Sequence, residues 1–352
     1  MDPLVLIVPG CLDGRTGGYV YDRRMIAGLG ERGWSVQVHE LDGSFPRPTS
    51  AALDDAARVL AAIPDRTLVL VDGLALGAMP AEAEHEARRL RLVALVHLPL
   101  AAEVGIDRQT AAQFEASERR ALAATACVIA TGRSTTAVLA GYGVAPDRIV
   151  IIEPGTDRAP LARGSQGATL QLLSVATLNP GKGHAVLFRA LAMVPYRNWH
   201  LTCAGSLDRH PPTVERLRAQ LAADGLEDRV SLVGELDDAR LAACFDSADL
   251  FVLATLRESY GMAVAEALAR GLPVVSTNTG AIEDLVAGEA GLLVPPGDPE
   301  ALAQALSRVL GDRRVRDHLA DGARCVRDRL PTWENAVNKM AAALERVTGS
   351  SR

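Results

Sequence analysis

The sequence predicts an α/β protein built from two doubly wound parallel-sheet domains, and three observations predict it. Short unbroken apolar runs alternate with helical patterns along nearly the whole chain. The alternation breaks once, in a stretch rich in Gly, Ser and Pro near the middle, and then starts again. The 352 residues suffice for two domains, each of roughly 150 to 180 residues and able to bury its own core.

Composition narrows the class. At 48% hydrophobic and 23% charged the chain has the make-up of a soluble globular protein. A net charge of −6 argues against electrostatically driven nucleic-acid or anionic-membrane binding. Cys11, Cys127, Cys203, Cys244 and Cys325 are scattered and show no metal-ligand spacing, which fits a reducing cytoplasm, the expected location. No signal peptide or membrane-spanning run is read; Leu4 to Pro9 is too short to cross a bilayer.

The first domain, expected over 1–157, opens with a buried strand, Leu4 to Gly10. A loop with Gly14, Gly17 and Gly18 follows, then a helix from about Tyr19 to Glu31 and a strand from Ser35 to Leu41. The glycine spacing is not G-x-G-x-x-G, so the loop is either a plain turn or a place where backbone approaches a substrate. Further strands are predicted at Leu68–Val71, Leu92–Val96, Val128–Ala130 and Ile149–Ile152, with helices near Ala51–Ile63, Pro80–Leu90, Gln109–Ala124 and Ser134–Tyr142. Glu153 to Asp157 breaks the pattern and Arg158 to Ala168 reads as a linker.

The second domain, expected over 158–330, has strands at Leu170–Ala176, Leu201–Ala204, Val230–Val233, Leu250–Ala254, Pro273–Thr277 and Gly291–Val294. Helices fall near His184–Val194, Pro212–Ala223, Asp238–Asp246 and Tyr260–Arg270, with helical sequence from Pro299 to Leu330. After Pro331 a last helix, Trp333–Val347, within 331–352, is long enough to pack back across the junction. Two such sheets predict a cleft, with ligands beyond the carboxyl ends of the strands.

The stretch Arg257 to Gly271 organises the chemistry. A loop carrying Glu258 runs into a helix from about Tyr260, so the N–H groups of Gly261, Met262 and Ala263 can meet a phosphate or sugar oxygen. Eight residues from Glu258 to Glu266 span roughly 12 Å if helical, whereas glycosidase carboxyl pairs stand about 5 to 9.5 Å apart. The two glutamates therefore grip two parts of one long ligand better than they make a hydrolytic pair. The plainer alternative is a helix-end charge and a solvent-facing glutamate.

Lys182 lies between glycines at another helix start and can reach an anion, although the sequence is not a P-loop and a surface lysine in a turn is the alternative. His97 ends a strand and would face the cleft, or be a structural histidine. Glu283 is a helix-start carboxylate.

Taken together these elements resemble the family-4 retaining glycosyltransferases. The resemblance rests on the E-x7-E of Glu258 and Glu266, on Gly271-Leu272-Pro273-Val274-Val275 and Gly291 to Asp298, and on Lys182-Gly183, Gly17-Gly18 and Pro154 to Asp157 in matching order. It implies the GT-B fold of two Rossmann-like domains facing a cleft. It implies that Glu266 binds ribose hydroxyls of a UDP-, GDP- or ADP-linked sugar donor, that Glu258 contacts the transferred sugar, and that Ser259, Tyr260, Gly261, Met262 and Ala263 hold sugar and phosphate oxygens by their backbone. Lys182 would neutralise the diphosphate, Gly17 and Gly18 would close over it, His97 would hydrogen-bond the sugar at the reaction centre, and the base would stack near Leu236. The implied chemistry is same-face displacement with retention, the leaving phosphate helping to remove the acceptor proton. No metal and no cofactor beyond the donor is expected, since there is no D-x-D cluster near the cleft loops.

One departure stands out: where the family has arginine five residues before the lysine, this chain has Thr177. Arg15 or Arg209 is expected to supply the missing charge. The acceptor is expected to be a small soluble molecule, because Ala51–Ile63 carries Asp54, Asp55 and only Arg58 and does not read as a membrane-docking helix. A GT-B phosphorylase or epimerase, and a catalytically silent nucleotide-sugar binder, remain the alternatives.

Overall fold

The computed structural model describes residues 3–349. The chain divides into two compact units, Met1–Gly155 with Pro331–Arg352, and Thr156–Leu330.

The first unit holds six parallel strands, β1 (Pro3–Pro9), β2 (Ser35–Leu41), β3 (Leu68–Asp72), β4 (Arg91–Val96), β5 (Cys127–Ala130) and β6 (Ile149–Ile151). Their order is β2-β1-β3-β4-β5-β6. Every residue of β3 and β5 is buried, as expected of strands covered on both faces. The chain winds to one side from β1 and to the other from β3, so the direction reverses between these two neighbours, paired in register from Leu4↔Leu68 to Ile7↔Val71. The helix Trp333–Gly349 completes this unit. Its Ala336, Val337, Met340 and Leu344 share a core with Leu4, Leu6 and Val8 of β1 and with Tyr21, Met25 and Leu29 of the helix Gly17–Glu31. A Cβ on Gly28 would lie 2.4 Å from Val337 Cγ2, so this glycine sets how closely the two helices approach. Burying side chains of this size contributes about 1.5 to 3 kcal/mol each, which ties the end of the chain to its beginning.

The second unit holds β7 (Leu170–Val175), β8 (Trp199–Ala204), β9 (Val230–Gly234), β10 (Leu250–Leu253), β11 (Val274–Thr277) and β12 (Gly291–Val294), all parallel. The order β12-β11-β10-β7-β8-β9 is that of a six-stranded Rossmann sheet, and it reverses between β7 and β10. One face packs Trp199, Phe188, Leu191 and Leu306; the other packs Phe245, Phe251, Val264 and Leu268.

Several boundaries differ from the sequence reading. The first helix starts at Gly17, not Tyr19, because the Thr16 side chain accepts from Tyr19 N and caps it there. Gly17 and Gly18 are thus helical residues of a first turn, not loop residues. A short helix, Gly73–Leu76, follows β3 where none was predicted, and Pro80–Leu90 shortens to Pro80–Glu86. The stretch Pro299–Leu330 is two helices, Pro299–Gly311 and Arg313–Arg327, because Asp312 leaves the helical conformation and accepts from Arg314 N at 2.8 Å. The helix expected from Tyr260 begins at Met262, Gly261 taking a left-handed conformation at its start.

Candidate functional site

In the second unit the strand-order reversal puts the loops after β7 and β10 side by side, and these carry Lys182 and Glu258. The loops are bonded to one another: Leu256 N donates to Gly181 O at 2.8 Å, and the buried Thr255 hydroxyl bridges to Gly181 O at 3.2 Å and Arg257 O at 2.9 Å. Thr277, at the end of β11, donates to Thr255 O at 2.6 Å. Lys182 N donates to Asn179 Oδ1 at 3.2 Å, which fixes the turn before Gly183. With both loops held, Lys182 Nζ stands 2.7 Å from Glu258 Oε2, an ion pair with side chains 28% and 16% exposed. The two residues singled out for opposite parts of a ligand are partners of each other.

Gly183 (φ +66°) and Gly261 (φ +101°) each begin a helix, His184–Met193 and Met262–Ala269, and no side chain caps either start. Helix ends without side-chain caps offer backbone donors and a partial positive charge to an anion. A Cβ on Gly183 would sit 1.9 Å from Ala254 O, and one on Gly280 2.0 Å from Glu258 O. Ala281 N donates to Ser259 O at 3.2 Å, so the loop after β11 braces the Glu258 loop from behind.

The remaining sequence-predicted residues of this unit fall as follows. Ser259, Met262, Ala263 and Glu266 are half-buried along the loop and first turns of the helix Met262–Ala269; Tyr260 and Gly261 are buried. Leu236, in the loop after β9, is 6% exposed. Thr177 is half-buried; its neighbour Leu178 N donates to Ser206 O at 3.1 Å, on the same connection that carries the exposed Arg209. Beside Lys182, His184 is 2% exposed, and burial together with the lysine charge brings its pKa down to about 4.

In the first unit a second polar cluster forms around His97, at the carboxyl ends of the strands. His97 Nε2 lies 3.3 Å from Asp22 Oδ1 and 3.6 Å from Asp72 Oδ2. Both aspartates are buried. Tyr21 meets the imidazole edge-on, with ring centroids 5.4 Å apart, and a Cβ on Gly18 would be 3.4 Å from His97 Cδ2. The structure therefore brings Gly18 and His97 together, while Gly17 is exposed on the outer side of the turn. Arg23 donates to Gly14 O at 2.8 Å and Leu12 N to Glu40 Oε1 at 2.7 Å, ordering the loop that bears the exposed Arg15. The two carboxylates and one imidazole place their donor atoms within 4.8 Å of one another, tight enough to enclose a cation or to share a proton.

Sequence reasoning missed Asp22, Asp72, Thr255 and Gly280. Two of them left a signal. Asp22 falls on the apolar face of its helix with Tyr21, Met25 and Leu29, and Asp72 ends a buried strand; a carboxylate in either place asks for a partner. Thr255 and Gly280 act through backbone contacts from distant segments, which no local pattern reports.

Residues 169–312, which include Thr177, Lys182, Leu236 and Glu258 to Glu266, match the family described as "Glycosyl transferases group 1". The chain is 30% identical over 200 residues to a D-inositol 3-phosphate glycosyltransferase of Corynebacterium glutamicum, a stretch covering 52% of this chain and 48% of that one, so it spans about half of that relative's length. It is 26% identical over 333 residues to an MMP alpha-(1->4)-mannosyltransferase of Mycolicibacterium hassiacum, covering 89% of this chain and 79% of that one. Anabaena HepE, solved in complex with UDP and glucose, shares the fold with a TM-score of 0.78 at 19% identity, over 97% of this chain and 99% of the other. The two six-stranded parallel sheets with flanking helices have the GT-B fold, and the stretch 169–312 matches the glycosyl transferases group 1 family.

Proposed function

We propose that the chain is a retaining glycosyltransferase that moves a sugar from a nucleotide-sugar donor to a hydroxyl of a small soluble acceptor. The observation that carries this reading is the Lys182–Glu258 pair at the strand-order reversal of the second unit, next to two helix starts that no side chain caps. An ammonium and two helix starts without a side-chain cap suit a diphosphate. A carboxylate that can turn from the ammonium to sugar hydroxyls suits the rest of the donor. Glu266, eight residues on, takes the ribose, and Ser259 to Ala263 supply backbone donors between them.

In this reading the diphosphate leaves with its charge met by Lys182 and the helix ends, so no metal is required. The oxygen that departs takes the acceptor proton on the same face, which gives retention. His97, Gly17 and Gly18 keep the roles implied by the resemblance. Arg209, whose connection is bonded to the loop of Thr177, and Arg15 are the two candidates for the charge missing at Thr177. The Corynebacterium relative, a D-inositol 3-phosphate glycosyltransferase, supports a small polar acceptor. The solved HepE complex with UDP supports a UDP-linked donor.

The test is a thermal-shift screen with UDP-, GDP- and ADP-sugars, followed by transfer assays with polyol and sugar-phosphate acceptors. One nucleotide class is expected to raise Tm by mass action, and Glu258→Ala to abolish transfer while the chain still folds. No stabilisation by any class would sink the reading. Thr177 favours a second reading, a nucleotide-sugar binder without transfer; binding with no product for any acceptor would support that one.

A further inference from the structure

We infer that Asp22 and Asp72 are positioning residues that act through His97, engaging Nε2 so that Nδ1 is the ring nitrogen turned to a sugar hydroxyl or phosphate oxygen of the substrate. The inference rests on the transferase reading and deepens it. Its basis is the geometry of the first unit. Two carboxylates, 1% and 3% exposed, arrive at one imidazole nitrogen from different elements, the helix Gly17–Glu31 and the end of β3. Asp72 Oδ1 accepts from Leu74 N at 2.7 Å, so its other oxygen is held in place by the backbone. Asp22 Oδ2 is buried with no hydrogen-bond partner, a cost that packing alone does not explain.

The ring itself has little freedom. Tyr21 meets it edge-on and Gly18 lies against Cδ2, while 21% of the side chain stays open to solvent. The titratable groups acting on it are Tyr21 and Asp22 from the helix and Asp72 from β3; the Tyr21 hydroxyl donates to Ile152 O at 3.0 Å and burial keeps it neutral. Burial opposes charge on His97, but the hydrogen bond to Asp22 and the charges of Asp22 and Asp72 outweigh it and raise the pKa. With Nε2 donating to the carboxylates, Nδ1 is an acceptor while the ring is neutral and a donor once the ring is protonated, the state that the two carboxylates favour and that brings positive charge to a substrate oxygen.

The experiment compares wild type, Asp22→Asn, Asp72→Asn, His97→Ala and the combinations with His97→Ala. Each aspartate variant is expected to lower kcat by about tenfold, less than the roughly 10²- to 10⁴-fold that a proton-transferring group contributes because the imidazole itself remains, with nucleoside-diphosphate affinity unchanged by calorimetry. Its pH profile should lose the upper limb at lower pH than wild type. In the His97→Ala background the aspartate substitutions should add nothing. Further loss in that background would overturn the inference, as would activity that chelator removes and a divalent cation restores. An independent arm records ¹⁵N-imidazole spectra of His97 without substrate: tautomer and titration that are the same in wild type and both variants would overturn it. If wild type transfers from no donor, the transferase reading fails, and the spectra alone then decide whether the aspartates set the ring.

Discussion

Lys182 Nζ lies 2.7 Å from Glu258 Oε2, and that contact sets how this protein should respond to an anion. Each residue is the other's counter-ion, so a nucleoside diphosphate competes with Glu258 for the ammonium. Neutralising the carboxylate frees the lysine. Glu258→Gln is expected to tighten nucleoside-diphosphate binding severalfold, ~1 kcal/mol for a half-buried pair, while sugar transfer falls. Lys182→Ala should weaken the same binding. Isothermal titration separates the two; weaker binding in Glu258→Gln would mean that the glutamate holds the nucleotide itself.

The loop that presents Glu258 depends on a glycine behind it. A Cβ on Gly280 (φ +63°) would stand 2.0 Å from Glu258 O. Gly280→Ala must therefore push the Glu258 loop forward as well as strain its own backbone, at a cost of about 1 to 3 kcal/mol. Lower Tm with a larger loss of donor affinity is expected, read by melting and titration together. Gly288→Ala, also at positive φ but with open space around the new methyl, serves as the control for backbone strain alone.

What the sequence disclosed follows from range. Strand after strand was legible because buried parallel strands are unbroken apolar runs, and the Glu258 and Lys182 loops were legible because glycines and charges sit where such runs end. The pairing of Lys182 with Glu258 was not legible. It depends on the reversal of strand order that makes β7 and β10 neighbours, and the residues lie 76 apart in the chain. Likewise Asp22 and Asp72 meet at His97 only because β1, β3 and β4 run side by side.

Thr255 makes the same loops one unit. Its hydroxyl bridges Gly181 O and Arg257 O, so Thr255→Val keeps the shape and removes both bonds. The Gly181 carbonyl keeps its bond from Leu256 N while the Arg257 carbonyl loses its bond from Thr255, so about 1 kcal/mol of stability should go with the change. Donor affinity is expected to fall beyond what the change in Tm explains, because the Lys182 and Glu258 loops are no longer tied. Affinity unchanged at equal ligand occupancy would show that the loops hold each other without it.

His184 links the site to acid. Both ring nitrogens are buried without a hydrogen-bond partner, and burial with Lys182 nearby holds its pKa at about 4. The folded pKa lies below the unfolded value, so the contribution to stability is present above about pH 6.5 and lost as pH falls toward 4. His184→Leu removes the titration and two unmet polar atoms. It should melt higher than wild type, with the gap widening from pH 7 to pH 4.5; a constant gap would show that the histidine does not titrate in this window.

Glu118 tilts stability the other way. Its carboxyl is buried, accepts from Leu100 N at 3.0 Å just beyond His97, and is pushed up to about 8 by burial. The folded state keeps the proton that the unfolded chain gives up above about pH 4.5, so stability is full below that value and declines as pH rises through 8, by at most ~1.4 kcal/mol per unit. Glu118→Gln retains an oxygen for Leu100 N and cannot ionise. Wild type is expected to lose Tm between pH 5.5 and 8.5 while Glu118→Gln stays nearly level, so the variant overtakes wild type on the alkaline side. Parallel melting curves for the two across that range would mean that the carboxylate is already ionised in the folded protein and that the Leu100 turn is anchored by charge, not by a neutral acid.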